Sequence, residues 1–150
     1  MKKNNPGCNC CGGDGCCCHP WLWDWTMVVD AVPGNSQCNN YDGTYSHTAE
    51  SFVEISPCVW ESEFDIGIDW DTGVGTTPVY SWLHVEAVVV DDVCKLSIGY
   101  GLYYDFGGVN WIVRNSVSPR DDCSKPVDDV VNSDIATPCT TSSTVTKTAV

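Results

Sequence analysis

The sequence predicts an all-β fold: a single-domain β-sandwich, of the jelly-roll or immunoglobulin-like kind, with a disulfide-rich N-terminal arm. Apolar and polar residues alternate with a period of two along most of the chain, as they do in strands with one buried face. Clusters of turn residues divide this pattern into about seven or eight strands, and no segment has convincing helical periodicity. The third observation is the content of eleven cysteines in 150 residues. We assign residues 1–19 to the arm and residues 20–150 to the sandwich, which includes a Thr/Ser-rich C-terminal strand.

The arm holds six of the eleven cysteines, all between Cys8 and Cys18. Consecutive Cα atoms lie about 3.8 Å apart, whereas a relaxed disulfide needs roughly 4.4 to 6.8 Å, so adjacent cysteines are poor partners for each other. Each must bond elsewhere, either to the body or within the arm, as Cys8 with Cys16 would, and the connectivity stays open. Because the total is odd, at least one cysteine is free, metal-bound or joined to another chain. The arm cysteines are Cys8, Cys10, Cys11, Cys16, Cys17 and Cys18, and the body cysteines are Cys38, Cys58, Cys94, Cys123 and Cys139.

A metal site is the alternative interpretation of the arm. Its cysteines and His19 could supply the soft ligands that select Zn²⁺ or Cu(I). The usual zinc modules use two well-spaced ligand pairs, and this run lacks that spacing. The sequence therefore favours disulfides, and we expect no required cofactor, with Ca²⁺ a stronger candidate than Zn²⁺.

The charge distribution excludes whole classes of partner. The formal net charge is −13, and no basic residue occurs between Lys3 and Lys95. Such a chain repels phosphate backbones and anionic lipid, so we expect neither nucleic-acid binding nor membrane insertion.

The arm also bears on localisation. It has no apolar segment typical of a signal peptide, although its cysteine content is typical of an oxidising compartment. Release by cell lysis, as for virion proteins, would explain a high cysteine content without a signal peptide. A leader removed before residue 1, or a non-Sec export route, would explain it equally well. We expect a virion, extracellular or cell-surface location.

The first predicted strand is Trp21 to Val32, in which strict alternation places every tryptophan on one face. Tryptophan rings can bind sugars, so Trp21 and Trp23, together with Trp82 further along the chain, are the carbohydrate candidates. Core packing is the more ordinary role of such a stripe.

Two shorter strands follow, Thr44 to Thr48 and Ser51 to Ser56, the second ending at Pro57. His47 is interpreted as an ordinary strand residue.

Trp60 to Asp71 has the clearest strand pattern, with an apolar face and a row of carboxylates on the opposite face. Carboxylates about 6.6 Å apart along a strand could be bridged by a hard cation, although a solvated acidic face is the interpretation we favour. Glu61 and Glu63 could form the carboxylate pair of a glycosidase, but carboxylates are too abundant here for a pair to be informative. The calcium candidates are Asp65, Asp69 and Asp71.

Three further strands are predicted at Val79 to Val90, Val93 to Phe106 and Val109 to Val117. In the second of these, Gly99 and Gly101 occupy the outer face and predict a close approach of neighbouring groups.

The C-terminal part is less regular. Ser118 to Pro138 predicts a long loop, with room for a short strand, tied down by Cys123 and Cys139. The β-prone tail, Thr140 to Val150, is expected to complete a sheet or to pair with a neighbouring copy of the chain.

The order of these features resembles that of small cysteine-rich β proteins, mostly uncharacterised, of planctomycetes and some phages. The resemblance rests on the Cys-rich start, the Trp/Leu strand, Asn-Tyr-Asp-Gly-Thr-Tyr-Ser-His-Thr at 40–48, Cys58-Val-Trp-Glu61, and the Cys-led β tail. It implies a surface component of an environmental bacterium or phage, and it implies no catalytic residues.

From these observations we expect a non-enzymatic structural protein that self-assembles in a virion, as a phage capsid or tail component, or in an extracellular filament. Its partners would be copies of itself or other virion proteins. Catalytic motifs are missing, and His84 beside Glu86 belongs to an ordinary amphipathic face. The alternatives are a carbohydrate- or calcium-binding surface module and a metal-binding protein built on the cysteine cluster.

Overall fold

The computed structural model describes residues 16–20, 23–30, 38–122, 127–132, 139 and 142–149, with side chains for the better-placed part of these. The described chain forms nine strands and two short 3₁₀ helices, Cys38–Tyr41 and Ala49–Ser51. The strands are β1 Trp23–Asp30, β2 Gly43–His47, β3 Val53–Ser56, β4 Val59–Asp71, β5 Thr76–Val90, β6 Val93–Asp105, β7 Val109–Asp122, β8 Val127–Asn132 and β9 Ser142–Ala149.

The strands form two antiparallel sheets, which confirms the predicted all-β, two-layer fold. One sheet has four strands in the order β2-β1-β9-β8, and the other has five in the order β3-β4-β5-β6-β7. The second sheet is thus a meander of consecutive strands. The immunoglobulin fold and the jelly roll instead distribute consecutive strands between sheets in Greek-key order, so the topology differs from both expected kinds of sandwich.

The core lies between the two sheets and is built from the apolar faces that alternation predicted. Trp25 and Met27 of β1 belong to one buried cluster with Leu83 of β5 and Ile98 of β6. Side chains on the inner faces interdigitate in this way in β-sandwiches, and each large one contributes roughly 1.5 to 3 kcal/mol through removal of apolar surface from water.

The second half of β4 departs from simple alternation. Its register with β5 shifts between Asp65 and Asp69, and Gly67 has a φ of 81°, in the left-handed region that favours glycine. This bulge leaves Ile68 38% exposed, although the sequence predicted it on the buried face. Asp65 to Asp69 spans four residue steps opposite the two steps from Tyr80 to Pro78, so the bulge holds two extra residues, and Trp70 beyond it is again buried.

Ser118 to Pro138, predicted as a long loop with room for a short strand, contains more strand than expected. Strand β7 continues to Asp122, and β8 occupies Val127–Asn132 as an edge strand paired with β9. Pairing with a neighbouring strand overrides the weak strand propensity of the aspartates. The tail, by contrast, completes a sheet as expected: β9 pairs with β1 on one side and β8 on the other, so it is not an exposed edge.

Three disulfides join pairs of described residues. Cys16 bonds Cys58, Cys17 bonds Cys94, and Cys38 bonds Cys139, with Cα–Cα separations of 5.2, 5.8 and 5.5 Å. These bonds confirm that adjacent arm cysteines reach different parts of the body, and they make the protein disulfide-rich. Cys18 is disulfide-bonded as well, with a partner outside the described residues. Cys8, Cys10, Cys11 and Cys123 also lie outside them.

The end of the arm is part of the core. Cys16, Cys17, Cys18 and His19 are all at most 6% exposed. The carbonyl of Pro20 accepts a hydrogen bond from the Trp25 indole at 3.2 Å, and the His19 ring lies 5.5 Å from that of Trp60. The disulfides of Cys16 and Cys17 therefore anchor a buried segment of the arm. We expect their reduction to allow this segment to detach, which would expose apolar surface.

A buried polar cluster connects the two sheets around His47 of β2. Its Nδ1 lies 2.7 Å from the hydroxyl of Ser62 on β4, and its Nε2 lies 2.8 Å from the hydroxyl of Ser81 on β5. All three residues are at most 1% exposed. Burial lowers the pKa of His47 to about 4, because the charged imidazolium is poorly solvated there. His47 is thus a cross-sheet hydrogen-bonding residue, which its position on an alternating strand did not indicate.

Among the disulfides between described residues, the one with the longest loop gives a stability test. Replacing both Cys38 and Cys139 with Ala opens a link across a sequence separation of 101 residues. Chain entropy then predicts a loss of about 4.7 kcal/mol in the free energy of unfolding. Denaturant unfolding under non-reducing conditions measures it, with removal of the Cys16–Cys58 pair, which spans 42 residues, as the comparison. A loss below about 1 kcal/mol would contradict the entropic account.

The His47 cluster predicts a stability that falls as the pH is lowered. The pKa is about 4 in the folded state and 6.5 in the unfolded state, so the unfolded chain binds the proton first. Stability attributable to His47 is complete above pH 6.5 and declines by about 3 kcal/mol on reaching pH 4. Denaturant unfolding of the wild type and of His47→Gln should show that this decline disappears in the variant. His84→Gln is the control, and equal pH dependence in all three proteins would contradict the assignment.

Candidate functional site

The outward face of the five-stranded sheet carries a cluster of aromatic side chains. On β5, Trp82 lies opposite Glu63 of β4 and opposite Gly101 of β6. Alternate residues of a strand face the same side, so the outward residues of β4, β5, β6 and β7 form a continuous surface. We name this surface the aromatic face. Its members are Glu61, Glu63, Tyr80, Trp82, His84, Ser97, Gly99, Gly101, Tyr103, Trp111 and Arg114.

The rings of the aromatic face are in direct contact with one another. The ring centroids of Trp82 and Trp111 are 4.9 Å apart, with an angle of 63° between the ring planes. Tyr103 lies 5.3 Å from Trp111, and Tyr80 lies 5.5 Å from Tyr103. All four side chains are half-buried, so the cluster presents a single apolar surface to solvent at the centre of a sheet.

Two glycines of β6 leave space for these rings because they have no side chains. A Cβ atom on Gly99 would lie 3.1 Å from the Trp82 ring, and one on Gly101 would lie 2.2 Å from the carbonyl oxygen of Val113. The rings of Trp82 and Trp111 therefore lie over a strip of bare backbone. The close approach predicted from the sequence at these two positions is confirmed.

Polar groups surround the rings and hold each other in place. The Glu61 carboxylate lies 2.8 Å from Nδ1 of His84. Glu63 accepts a short hydrogen bond from the hydroxyl of Tyr103. Burial raises the pKa of Tyr103 well above its ordinary value, and the hydrogen bond to Glu63 raises it further, so the tyrosine remains a donor.

A single cationic side chain completes the aromatic face. The Arg114 guanidinium lies 4.8 Å from the centroid of the Trp111 ring, in cation–π contact. The face thus combines acceptors (the two glutamates) with guanidinium donors around an apolar centre. This combination suits a ligand that has apolar patches and hydroxyl groups, since a hydroxyl both donates and accepts.

The aromatic face contains two shallow depressions. One of about 280 Å³ is lined by Glu61, Glu63, Trp82, Tyr103, Val109 and Trp111. A second of about 310 Å³ is lined by Glu61, Trp82, His84, Ser97, Ile98, Gly99 and Arg114. A third depression, of about 380 Å³, lies at the β3–β4 turn and is lined by Glu54, Ile55, Ser56 and Pro57. It lacks an aromatic ring and a charged pair, so we do not assign it a ligand.

The structure separates the three tryptophans proposed as sugar-binding residues. Trp82 lies on the aromatic face, as that proposal requires. Trp23 is only 8% exposed and belongs to the core, so its assignment as a sugar-binding residue was wrong. Trp21 lies outside the described residues.

The sequence analysis missed Trp111, Tyr103 and Arg114 as site residues. Tyr103 shares a strand face with Gly99 and Gly101, a signal that alternation could have provided. Placing Trp111 and Arg114 on this face requires knowledge of the register between β6 and β7, which contains irregularities after Leu96 and after Leu102. The two glutamates set aside as uninformative do lie beside the rings.

The calcium candidates are not brought together. The carboxylates of Asp65 and Asp71 each accept a backbone hydrogen bond at 2.8 Å, from Gly67 and Gly73 respectively. Within the described ranges, no three His, Cys, Asp or Glu side chains form a group that could hold a metal ion. Asp69 therefore does not join the other two in a site, and the calcium hypothesis gains no support.

The thiolate site proposed for the arm is also not formed by the residues that are described. Cys16, Cys17 and Cys18 are disulfide-bonded and cannot serve as thiolate ligands in this state. His84, interpreted with Glu86 as part of an ordinary amphipathic face, lies 2.8 Å from Glu61 on the neighbouring strand.

Comparisons with known proteins yield no relative: no family model, no curated protein and no solved structure matches this chain. The resemblance to cysteine-rich β proteins of planctomycetes and phages therefore stays a prediction. Over the residues with described structure, no helix is long and apolar enough to cross a membrane. The disulfides indicate an oxidising, extracellular type of environment.

Proposed function

We propose that this protein is a non-enzymatic binding module that recognises glycans through the aromatic face, outside the cell or on the surface of a virion. The observation that carries this proposal is the contact cluster of Trp82, Trp111 and Tyr103 on an outward sheet face. Core packing does not explain two tryptophans in the middle of a solvent-facing sheet, whereas contiguous exposed apolar patches often mark binding sites.

The chemistry around the rings favours sugars over other ligands. A sugar ring has an apolar face that can stack on an indole and a rim of hydroxyls that can bond charged groups. Glu61 and Glu63 are acceptors, and Arg114 is a donor, so both hydrogen-bonding roles of a hydroxyl are met. A net charge of −13 disfavours strongly anionic polymers such as nucleic acid.

The rigidity of the face also supports binding. The rings lie on paired strands, over bare glycine backbone, and the glutamates are each held by a neighbouring side chain. Groups that are already ordered lose little conformational entropy when a ligand binds. We therefore expect the aromatic face to bind its ligand without rearrangement of its side chains.

Removing the central ring should abolish most of this binding. We expect Trp82→Ala to weaken polysaccharide binding at least tenfold, because the loss of one central aromatic contact costs about 1.4 kcal/mol or more. Affinity electrophoresis in gels containing soluble β-glucan, xylan, mannan or glycol chitin measures the retardation. Phe106→Ala, an aromatic residue 53% exposed at the β6–β7 turn and outside the face, is the matched control.

Two results would contradict the proposal. One is that the wild type is not retarded by any of the four polysaccharides. The other is that Trp82→Ala and Phe106→Ala behave alike. A proline-rich basic peptide, which aromatic grooves also bind, serves as a competitor, and tighter binding of that peptide would redirect the assignment to a peptide partner.

Disulfide-linked self-association is a second candidate function, and one observation favours it. Eleven cysteines cannot all be paired within one chain, so at least one is available for another role. The edge strand β3 is also exposed along its whole length, and Val53 and Ile55 on it are 64% and 52% exposed. An exposed apolar edge is suited to pairing between copies.

Intact mass measured under native, non-reducing conditions tests this second function. We expect covalent multimers that collapse to the mass of one chain on reduction. A control sample alkylated before purification separates native bonds from those formed on handling. A strictly monomeric protein in both samples would exclude covalent self-assembly.

A further inference from the structure

The two depressions of the aromatic face are neighbours that share a wall. Glu61 and Trp82 line both of them. The first depression is bounded on its other side by Tyr103 and Trp111, and the second by His84 and Arg114. A ligand that fills both must pass the Trp82 ring.

The strand geometry shows that the two depressions are arranged one after the other along β5. Trp82 and His84 are two residues apart on β5, which corresponds to about 6.6 Å along a strand. Opposite them on β6 lie Gly101 and Gly99, which have no side chains to interrupt the surface. The depressions therefore succeed one another along β5, at a spacing similar to the size of one sugar ring.

We propose that the aromatic face binds a glycan chain of at least two consecutive sugar units, one in each depression, with the chain running along β5 and the Trp82 ring between the units. This inference rests on the glycan-binding function proposed above. It makes the ligand a chain and not a single sugar, because one unit in each depression requires the two units to be joined past the Trp82 ring.

The two positions differ in chemistry. In the first depression, Glu63 is held by Tyr103 and presents acceptor oxygens beside two aromatic rings, which suits a unit with hydroxyl donors. In the second, the Arg114 guanidinium offers donors that Glu61 and the ring of His84 complement. A guanidinium donates hydrogen bonds, so Arg114 suits a carbonyl or hydroxyl oxygen of the second unit.

Chain length is the variable that tests the inference. Isothermal titration of the wild-type protein is carried out with gluco-, xylo-, manno- and N-acetylgluco-oligosaccharides of one, two and four units. For the series that binds, we expect affinity to rise at least tenfold from the single sugar to the disaccharide. An equal affinity for all lengths would overturn the two-position model while leaving glycan binding intact.

A variant that fills only the second depression makes the test specific. Ser97 lines the second depression alone, and Ser97→Tyr places a ring there on a strand that tolerates tyrosine. We expect this variant to lose the tenfold gain in affinity from the single sugar to the disaccharide. Ser56→Tyr, on the exposed edge strand β3, is the matched control and should retain the full gain.

The remaining outcomes are distinguishable. Retention of the full gain by Ser97→Tyr would overturn the inference. Failure of every oligosaccharide to bind the wild type would instead reject the proposed function itself. Near-ultraviolet circular dichroism checks that Ser97→Tyr is folded. If it is not, Ser97→Gln, which introduces a smaller obstruction, is measured in the same titrations and must reduce the gain.

Discussion

The fold depends on the covalent attachment of the arm to the tips of the five-stranded sheet. Two adjacent cysteines are poor partners for each other, since their Cα atoms are closer than a relaxed disulfide needs, and Cys16 and Cys17 bond different partners. They reach Cys58, at the β3–β4 turn, and Cys94, at the start of β6. The backbone amide of Ala87 on β5 also donates to the Cys58 carbonyl at 3.0 Å. Two neighbouring residues of the arm thus tie together three neighbouring strand ends.

The four-stranded sheet is attached by different means. The Cys38–Cys139 disulfide joins two segments that flank strands of this sheet, and the backbone amide of Cys139 donates to the Ile112 carbonyl of the opposite sheet at 3.1 Å. His47 also hydrogen-bonds two serines of the opposite sheet. The Tyr41 hydroxyl donates to the Asp69 carbonyl at the bulge of β4, at 2.7 Å. A bulge exposes backbone groups that a regular ladder would pair, and here one of them binds the other sheet. Apolar packing supplies most of the stabilisation, whereas these polar and covalent contacts fix how the sheets are aligned.

This arrangement leaves the outer side of the five-stranded sheet free for a ligand. Its inner side packs against the other sheet and its ends are held by disulfides, so the strands that carry Trp82, Trp111 and Glu63 are rigid. The glycines of β6 are required by the outer surface of the sheet and not by the core. A side chain at Gly101 would displace β7, and a side chain at Gly99 would displace the Trp82 ring. A scaffold stapled in this way suits an oxidising environment, in which disulfides persist.

The sequence by itself determined the fold class, most strand positions and the fact that the arm cysteines bond elsewhere, because these follow from period-two alternation and from the short distance between adjacent residues. It indicated Trp82 and the two glycines, which lie within clearly alternating strands. It did not determine that Trp23 is buried while Trp111 faces solvent, since alternation defines two faces without stating which one meets the other sheet. The register shift in β4, the pairing of β8 and β9 and the cross-sheet role of His47 were decided by tertiary structure, since each depends on contacts between residues far apart in the chain.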